Sequence, residues 1–556
     1  MTGLPHPGPA TRAISWCLAA GSGLCAALAF PHPGWSGLAW LAPGLGVAAV
    51  LGSGGGRAFR LGYVAGLVQF LVSLRWLLHI PFPSGAVAAW LALGAYCAVY
   101  AGGAAWLTAT RIQQVTGEAS GRWADAALAL SRLSWWRRLM LWTVLAAAVT
   151  GLEWVRCRFL SGFPWNLYGV TQWQNIPLIQ VASVTGVHGV TFLLHWISFS
   201  LLGAFLQVWA AGPKRFAWTA ELRIPLAVLL VLLAWGIRRI TQRDPPGPPV
   251  TLALMQPSIP QTLIWDDAAN PDRFAKVFEL TRSALAARPE ALVWPEGSLP
   301  DITEDQFKAV TRETASTGSW WLFGTGYGRL VDGRPEHYNA ALLVSPEGQV
   351  VDRYHKRRLV IFGEFIPFET VLPFMKWLTP IGSSFTAGTR PAAFRFGAEP
   401  KANASPVICF EDMFPETTRE HVTSETDFLL ELTNDGWFGE SSAQWQHCAG
   451  AAMRAVENGV PLVRCANNGL TCWIDEHGTL RDLLGRGGNV HAPGVLITQV
   501  PRRPEGTPRA LTWYHRHGDV FGWSCAGILL AAGLSGVRFR RGLRSPARTG
   551  SPPDGA

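Results

Sequence analysis

The alternation of apolar and polar positions divides the chain near residue 244. Before that point long apolar runs follow one another at 13–30, 35–52, 61–80, 85–110, 138–155, 180–209 and 218–237, and one more lies far downstream at 519–536. Each approaches the roughly 20 residues a helix needs to cross a bilayer with its backbone polar groups satisfied internally. The pattern predicts a polytopic helical membrane domain with seven helices in residues 1–244, an eighth helix at 519–536 and a basic tail at 537–556.

Between these, residues 245–518 change period. Pro245-Pro246-Gly247-Pro248-Pro249 is a stiff linker, and Val250–Gln256 reads as a short apolar strand. Asn270-Pro271 supplies an N-cap and a proline at the first helical position for a helix to about Ala287. Further strands are expected at Leu292–Trp294, Trp320–Gly324, Pro406–Phe410, Phe428–Leu432, Leu462–Ala466 and Val495–Val500. Ala340–Ser345 and Val350–Tyr354 read as a hairpin, and a helix from about Ser442 to Asn458 stops at Gly459. Strands interleaved with helices predict an α/β domain around a mostly buried sheet.

Composition sharpens the division. The chain is 49% hydrophobic and 15% charged, against about 25% charged for an ordinary soluble domain. Residues 1–244 hold five acidic residues and residues 245–518 hold 31, so the two parts face different solvents. A net charge of +9 raises nucleic acid as a partner, yet the Arg and Lys residues cluster between apolar runs and after the last one, which is a membrane pattern. Arg57, Arg60, Arg111, Arg122, Arg132, Arg137, Arg138, Lys214, Arg215 and the Arg-rich tail fall on one side. Arg238, Arg239 and Arg243 run against that rule. The bias predicts an extracytoplasmic position for residues 245–518, periplasmic if the membrane is a bacterial inner membrane. Ala27-Leu28-Ala29 could pass for a signal-peptidase site, but the spans that follow favour a retained first helix. The nine cysteines form no Cys-x-x-Cys pair and no zinc-spaced set, so neither a disulfide framework nor a metal site is expected. Arg75, His79 and Glu153 lie in or near apolar runs and are read as paired or snorkelling residues.

Three residues carry candidate chemistry. Glu296 directly follows an apolar strand in Val293-Trp294-Pro295-Glu296-Gly297, where flanking apolar groups favour a raised pKa and a general base. Lys356 follows the strand Val350–Tyr354. Cys409 ends Pro406-Val407-Ile408 at a turn, where a sulfur is exposed and neighbouring N–H groups can face a developing oxyanion. Singly, each has an ordinary structural reading: a loop glutamate, a solvated basic face, a buried thiol.

In this order, with Tyr354-x-Lys356, Phe362-Gly363-Glu364-Phe365-Ile366-Pro367, Ile408-Cys409-Phe410-Glu411, Asn434-Asp435-Gly436-Trp437-Phe438-Gly439 and Arg464-x-x-Asn467-Asn468-Gly469, the chain resembles the apolipoprotein N-acyltransferase family of the nitrilase superfamily. The resemblance implies an αββα nitrilase-like domain and ping-pong transfer of a fatty acyl chain. The donor would be a phospholipid, and the acceptor the α-amine of the diacylglyceryl-cysteine N-terminus of a lipoprotein. Cys409 would be the nucleophile and thioester carrier, Glu296 the base, and Lys356 with the N–H after Cys409 the oxyanion stabiliser. Glu364 and Glu411 match supporting carboxylates that would hold Lys356. Trp265 matches a tryptophan on a mobile arm, and Trp437 an aromatic at the entrance. Phe410 stands where the family often has tyrosine, which removes a hydroxyl but keeps the backbone donor. No cofactor is implied. A membrane-tethered amidase that hydrolyses small amides is the alternative, and Leu263, Ile264, Trp265, Phe362 and Phe365 over the cleft favour a lipid substrate instead. A transporter or receptor with an inactive domain has no use for all three reactive residue types.

Overall fold

The computed structural model describes residues 9–117, 121–211, 219–242, 247–264, 266–300, 302–331, 333–368, 384–399 and 401–544, together with 371, 379 and 381. Where the sequence is apolar over long stretches the chain is helical: α1 (Pro9–Leu28), α2 (Ala42–Val50), α3 (Gly55–Ser73), α4 (Pro83–Thr116), α5 (Trp135–Arg156), α6 (Val187–Ala211) and α7 (Ala220–Thr241). Among the described residues four helices are long and apolar enough to cross a membrane, at Pro83–Thr116, Trp135–Arg156, Val187–Ala210 and Ala220–Thr241. Arg12–Leu28, Ser36–Val50, Ile176–Thr185 and Val520–Leu534 are apolar but shorter.

Three of the expected runs are not single helices. Run 35–52 is a 3-10 turn, Ser36–Trp40, followed by α2. Gly44 of α2 lies against α6 so closely that a Cβ there would sit 3.0 Å from the Ser198 carbonyl oxygen. Run 61–80 ends as α3 at Ser73 and continues as the 3-10 turn Arg75–His79. Run 180–209 opens with the short turn Ala182–Thr185 and breaks at Gly186, whose φ of 67° lets the chain pass the Tyr514 ring. Glu153 has partners, accepting from the Tyr168 N–H at 2.7 Å and the Thr191 hydroxyl at 2.8 Å.

The second region holds two six-stranded sheets. One is built from β1 (Pro249–Gln256), β2 (Ala291–Trp294), β3 (Trp320–Val331), β4 (Arg334–Val344) and β5 (Val350–His355), and the other from β6 (Phe394–Phe396), β7 (Ala402–Ile408), β8 (Phe428–Thr433), β9 (Leu462–Ala466), β10 (Cys472–Ile474) and β11 (Leu480–Leu483). β12 (Gly494–Pro501) returns to the first sheet, giving orders β12-β1-β2-β3-β4-β5 and β11-β10-β9-β8-β7-β6. The central pairs β1/β2, β2/β3, β7/β8 and β8/β9 are parallel. Two-residue alternation decides what each sheet faces. Leu252 and Leu254 point into the core between the sheets with Ile408, Leu430 and Val463. Ala253 and Met255 point out to Val277 of α8 (Asn270–Leu285) and Val310 of α9 (Glu304–Thr317). On the other sheet Val407 and Leu429 point out to Ala451 and Ala455 of α11 (Ala443–Asn458), with α10 (Pro415–His421) packed against both β7 and α11.

The arrangement is the expected helical region joined to a helix–sheet–sheet–helix domain, with one further layer. Ala26, Phe30, Tyr168 and Leu194 from the helical region share a single apolar cluster with α11. α12 (Val520–Arg544) then returns along α5, where a Cβ on Gly151 would lie 2.6 Å from the Cys525 carbonyl oxygen. Local expectations shifted in two places. β3 and β4 form a longer ribbon than expected, paired from Trp321↔Val344 to Val331↔Arg334, because Gly326, Gly328 and the polar residues beyond them lack an apolar alternation. The strand expected to reach Phe410 ends at Ile408, since Cys409 takes a φ of 51° that no strand accommodates.

Candidate active site

Strand ends from both sheets converge on one point. Glu296 stands two residues past β2. The neighbouring position on β3 is Gly324, and a Cβ there would lie 2.8 Å from the Glu296 Cα, so only glycine lets this turn close over the sheet. Glu296 Oε1 accepts from Asn339 Nδ2 at 2.6 Å and from Lys356 Nζ at 3.2 Å, and its Oε2 accepts from the Asn434 N–H at 3.0 Å. Three donors on one carboxylate fix its orientation.

Lys356 is the first residue after β5, and its N–H donates to the Asn339 carbonyl at 2.8 Å. Its side chain is 1% exposed and its ammonium also donates to Glu364 Oε1 at 2.8 Å. Burial by itself would lower the Lys356 pKa, but Glu296, Glu364 and the Cys409 sulfur together hold it well above its ordinary value. The ammonium therefore stays charged. Glu364 is positioned in turn by Asn339 Nδ2 at 2.7 Å and the Val360 N–H at 2.8 Å.

Cys409 opens the turn Cys409–Met413 with a φ of 51°, a conformation a side chain adopts at a cost of order 1–3 kcal/mol. The bend lifts its sulfur off the end of β7, and the thiol is half-buried. Burial pushes the thiol well above its usual range, the Glu296 and Asp435 charges add to this, and Lys356 and the Thr433 hydroxyl oppose it. The sulfur thus keeps its proton until a base removes it. Glu411 holds the elbow in place. Its carboxylate accepts from the Ile408 N–H at 2.8 Å, the Arg357 N–H at 2.6 Å, the Arg358 N–H at 3.1 Å and the Tyr354 hydroxyl at 2.8 Å. It thereby staples the turn after β7 to the turn after β5. Of the two supporting carboxylates expected to hold Lys356, Glu364 bonds the ammonium and Glu411 bonds the elbow instead.

The helical region supplies the wall. Phe410 stacks on Trp165 with ring centroids 6.1 Å apart and meets Phe414 edge-on at 5.0 Å. Trp437 is half-buried in the turn Asp435–Phe438, and the adjacent Phe438 meets Trp76 at 4.5 Å. Trp265 lies outside the described residues. The sequence alone did not single out Asn339 and Asn434, although Asn434 opens one of the quoted motifs. A buried amide with no apolar pattern of its own gives no local signal.

Behind the elbow lies a buried charged cluster. Among the described residues Asp412, Glu431 and His447 bring potential ligand atoms within 4.8 Å of one another. Arg464 already fills that space, with one guanidinium nitrogen 2.6 Å from Glu431 and 3.2 Å from Asp412. A divalent ion would have to sit beside this fixed positive charge, so the donor set does not fit a metal.

Residues 22–200 match the apolipoprotein N-acyltransferase N-terminal domain, and residues 251–507 match the carbon-nitrogen hydrolase domain. An apolipoprotein N-acyltransferase from Geobacter metallireducens is 34% identical over 533 residues, covering 94% of this chain and 94% of that protein. One from Caulobacter vibrioides is 31% identical over 569 residues, covering 97% and 96%. The crystal structure of an amidase from Nesterenkonia sp. is 18% identical and covers 46% of this chain and 92% of its own, with a TM-score of 0.33.

Proposed function

The chain belongs to the apolipoprotein N-acyltransferase family, and from that membership and the geometry around Cys409 we propose how its residues perform the acyl transfer. In the first half-reaction the Cys409 sulfur attacks the ester carbonyl of a phospholipid while Glu296 takes the thiol proton. The carbonyl oxygen becomes an oxyanion facing the Lys356 ammonium and the Phe410 N–H. On collapse the glycerol oxygen leaves with the proton from Glu296, and the acyl chain remains as a thioester on Cys409. In the second half-reaction the α-amine of a diacylglyceryl-cysteine N-terminus attacks the thioester. Glu296 accepts the amine proton and returns it to the departing sulfur.

One observation carries this reading. A carboxylate held by three donors stands beside an ammonium whose charge two carboxylates stabilise, next to a thiol that needs a base. Glu364 and Asn339 keep the ammonium aimed, and Glu411 keeps the elbow closed.

The topology follows from the substrates. Drawing a chain of about 16 carbons into water at about 0.8 kcal/mol per CH₂ costs more than ten kcal/mol, so the site belongs at the bilayer surface. The aromatic wall of Trp76, Trp165, Phe410 and Phe438 is where the lipid would enter, with Trp437 beside it. The reading places residues 1–244 and 519–536 in a bacterial inner membrane as eight helices, residues 245–518 in the periplasm and residues 537–556 in the cytoplasm. The test is intact mass spectrometry of the purified protein with phospholipid and no acceptor, wild type beside Cys409→Ala. A hydroxylamine-labile acyl adduct on wild type alone is the expected result. No adduct on folded wild type overturns the thioester route.

A further inference from the structure

One residue of α11 has no part in the chemistry above, yet it touches both turns that frame the sulfur. His447 Nδ1 lies 2.8 Å from Asp435 Oδ1, and its Nε2 lies 2.8 Å from Asp412 Oδ1. Asp412 is in the turn that Cys409 opens. Asp435 follows Asn434, whose N–H holds Glu296, and it accepts from Thr433, whose hydroxyl also bonds the Cys409 thiol. We propose that His447 is a positioning residue for the nucleophile, a fixed imidazolium that ties the turn after β7 to the turn after β8 and cancels carboxylate charge behind the sulfur.

The hydrogen-bond count supports the charge state. Two carboxylate oxygens face the two ring nitrogens, and only the doubly protonated ring donates to both. The surroundings agree on every side. From the turn after β7 comes Asp412, from β8 Glu431 at 3.6 Å, from the turn after β8 Asp435, and from β9 the Arg464 guanidinium bonded to all three carboxylates. The Cys448 and Cys472 thiols lie alongside, and the Trp165 ring covers the imidazole at 5.3 Å. Burial would lower the His447 pKa, but Asp412 and Asp435 hold it well above the usual value. Burial pushes Glu431 well above its usual range while Arg464 and His447 oppose this, and one of its oxygens is buried without a partner. His447 and Arg464 are thus the two cationic side chains that Asp412 and Asp435 both face. Removing the imidazolium takes one positive charge from beside Asp435, whose charge Cys409 already feels along with Glu296 and Lys356.

This inference rests on Cys409 as nucleophile, so its experiment reads the thiol directly and not the lipid reaction. Iodoacetamide alkylation of Cys409 in the full-length solubilised protein is followed across pH by peptide mass spectrometry. The comparison is wild type, His447→Gln and the double variant His447→Gln/Asp412→Asn. The single variant is expected to move the midpoint upward by about one pH unit, roughly tenfold slower alkylation at neutral pH. The double variant, which removes one carboxylate charge with the imidazolium, is expected to return towards the wild-type midpoint. An unmoved midpoint in the single variant, or an equal shift in both, overturns the proposal. If the single variant does not accumulate as folded protein, the double variant decides alone: a wild-type midpoint supports the role and an alkaline one overturns it. Failure of the Cys409 assignment has a different signature, since wild type would then alkylate normally yet form no thioester with phospholipid.

Discussion

α8 and α11 are each 16 residues long, and each covers the outer face of one six-stranded sheet. α8 buries Arg273, Val277, Thr281, Ala284 and Leu285 and turns its remaining face to water, whereas α11 buries every residue except Trp445. The same layer of the same kind of domain thus lies in two solvents. Over α8 the outer layer is water, which satisfies any polar group it meets. Over α11 it is the helical region, which satisfies only the groups for which it holds a partner. Gln446 accordingly meets Ser73, Trp76 and Trp165 and Glu457 meets Val187, while His447 and Arg454 are paired inside the α/β domain. Polar residues on the exposed face of α8 are replaceable in a way that those on α11 are not.

The largest expected effect tests this contrast at Gln446. Its Oε1 accepts from the indole N–H of Trp76 at 3.0 Å and of Trp165 at 2.9 Å, while its Nε2 donates to the Ser73 carbonyl at 3.0 Å. Gln446→Leu orphans three buried groups, at about 1–3 kcal/mol each. A loss on the order of 4 kcal/mol is expected in thermal unfolding of the detergent-solubilised protein, with slower thioester formation because Trp165 also backs Phe410. Glu279→Ala on the exposed face of α8 is the matched control and should stay within about 0.5 kcal/mol. Equal losses at the two positions would end the comparison.

A smaller effect follows from pH. Glu457 accepts from the Val187 N–H at 2.8 Å and from Arg454 at 2.9 Å, but its second oxygen is buried without a partner. Burial raises its pKa to about 7, with Asp519 adding and Arg454, the Val187 N–H and His188 opposing. The folded state then binds more protons than the unfolded state between the ordinary carboxylate range and about pH 7, so this group's contribution to stability falls as pH rises through that window. Glu457→Gln should flatten that slope and exceed wild type by roughly 1–2 kcal/mol at pH 8. A wild-type profile with no descent between pH 5 and 8 beyond that of the variant would show that the carboxylate is ionised throughout.

How much of this contrast the chain announces in advance differs between its parts. β1, β2, β7 and β8 were legible because runs such as Val250–Gln256 and Phe428–Leu432 are apolar and bounded by turn residues. Glu296, Lys356 and Cys409 were legible as residues that end such runs within ordered motifs. Their supports were not. Asn339 and Asn434 reach Glu296 across 43 and 138 residues, and no local period encodes a partner at that separation. The burial of α11 was equally hidden, since Gln444, Gln446, His447, Arg454 and Glu457 give it the polar content of a water-facing helix. Hydropathy located the apolar runs but could not see that the 3-10 turn Ser36–Trp40 and Gly186 break two of them. The residues 75–79 turn, which carries Trp76 to the site, sat inside a run that reads as one helix.

The smallest effect belongs to α8, and its smallness is the point. Arg282 pairs with Glu313 of α9 at 3.0 Å, with side chains 63% and 36% exposed. At that exposure water screens the attraction, and ordering two long side chains offsets much of what remains. Arg282 also lies over the Phe278 ring at 4.5 Å, so truncating the arginine would remove packing along with charge. Glu313→Gln isolates the charge. It is expected to cost less than about 0.5 kcal/mol at low ionic strength, and the difference should vanish near 1 M salt. The Arg454–Glu457 pair on α11 is 2.9 Å apart and 2% and 0% exposed, so no salt ion reaches it, and the gain expected from Glu457→Gln at pH 8 should not change with salt. Comparing the salt dependence of Glu313→Gln with that of Glu457→Gln therefore measures the two solvents directly. A salt-insensitive loss at Glu313 would mean that α8 is also covered in the working protein.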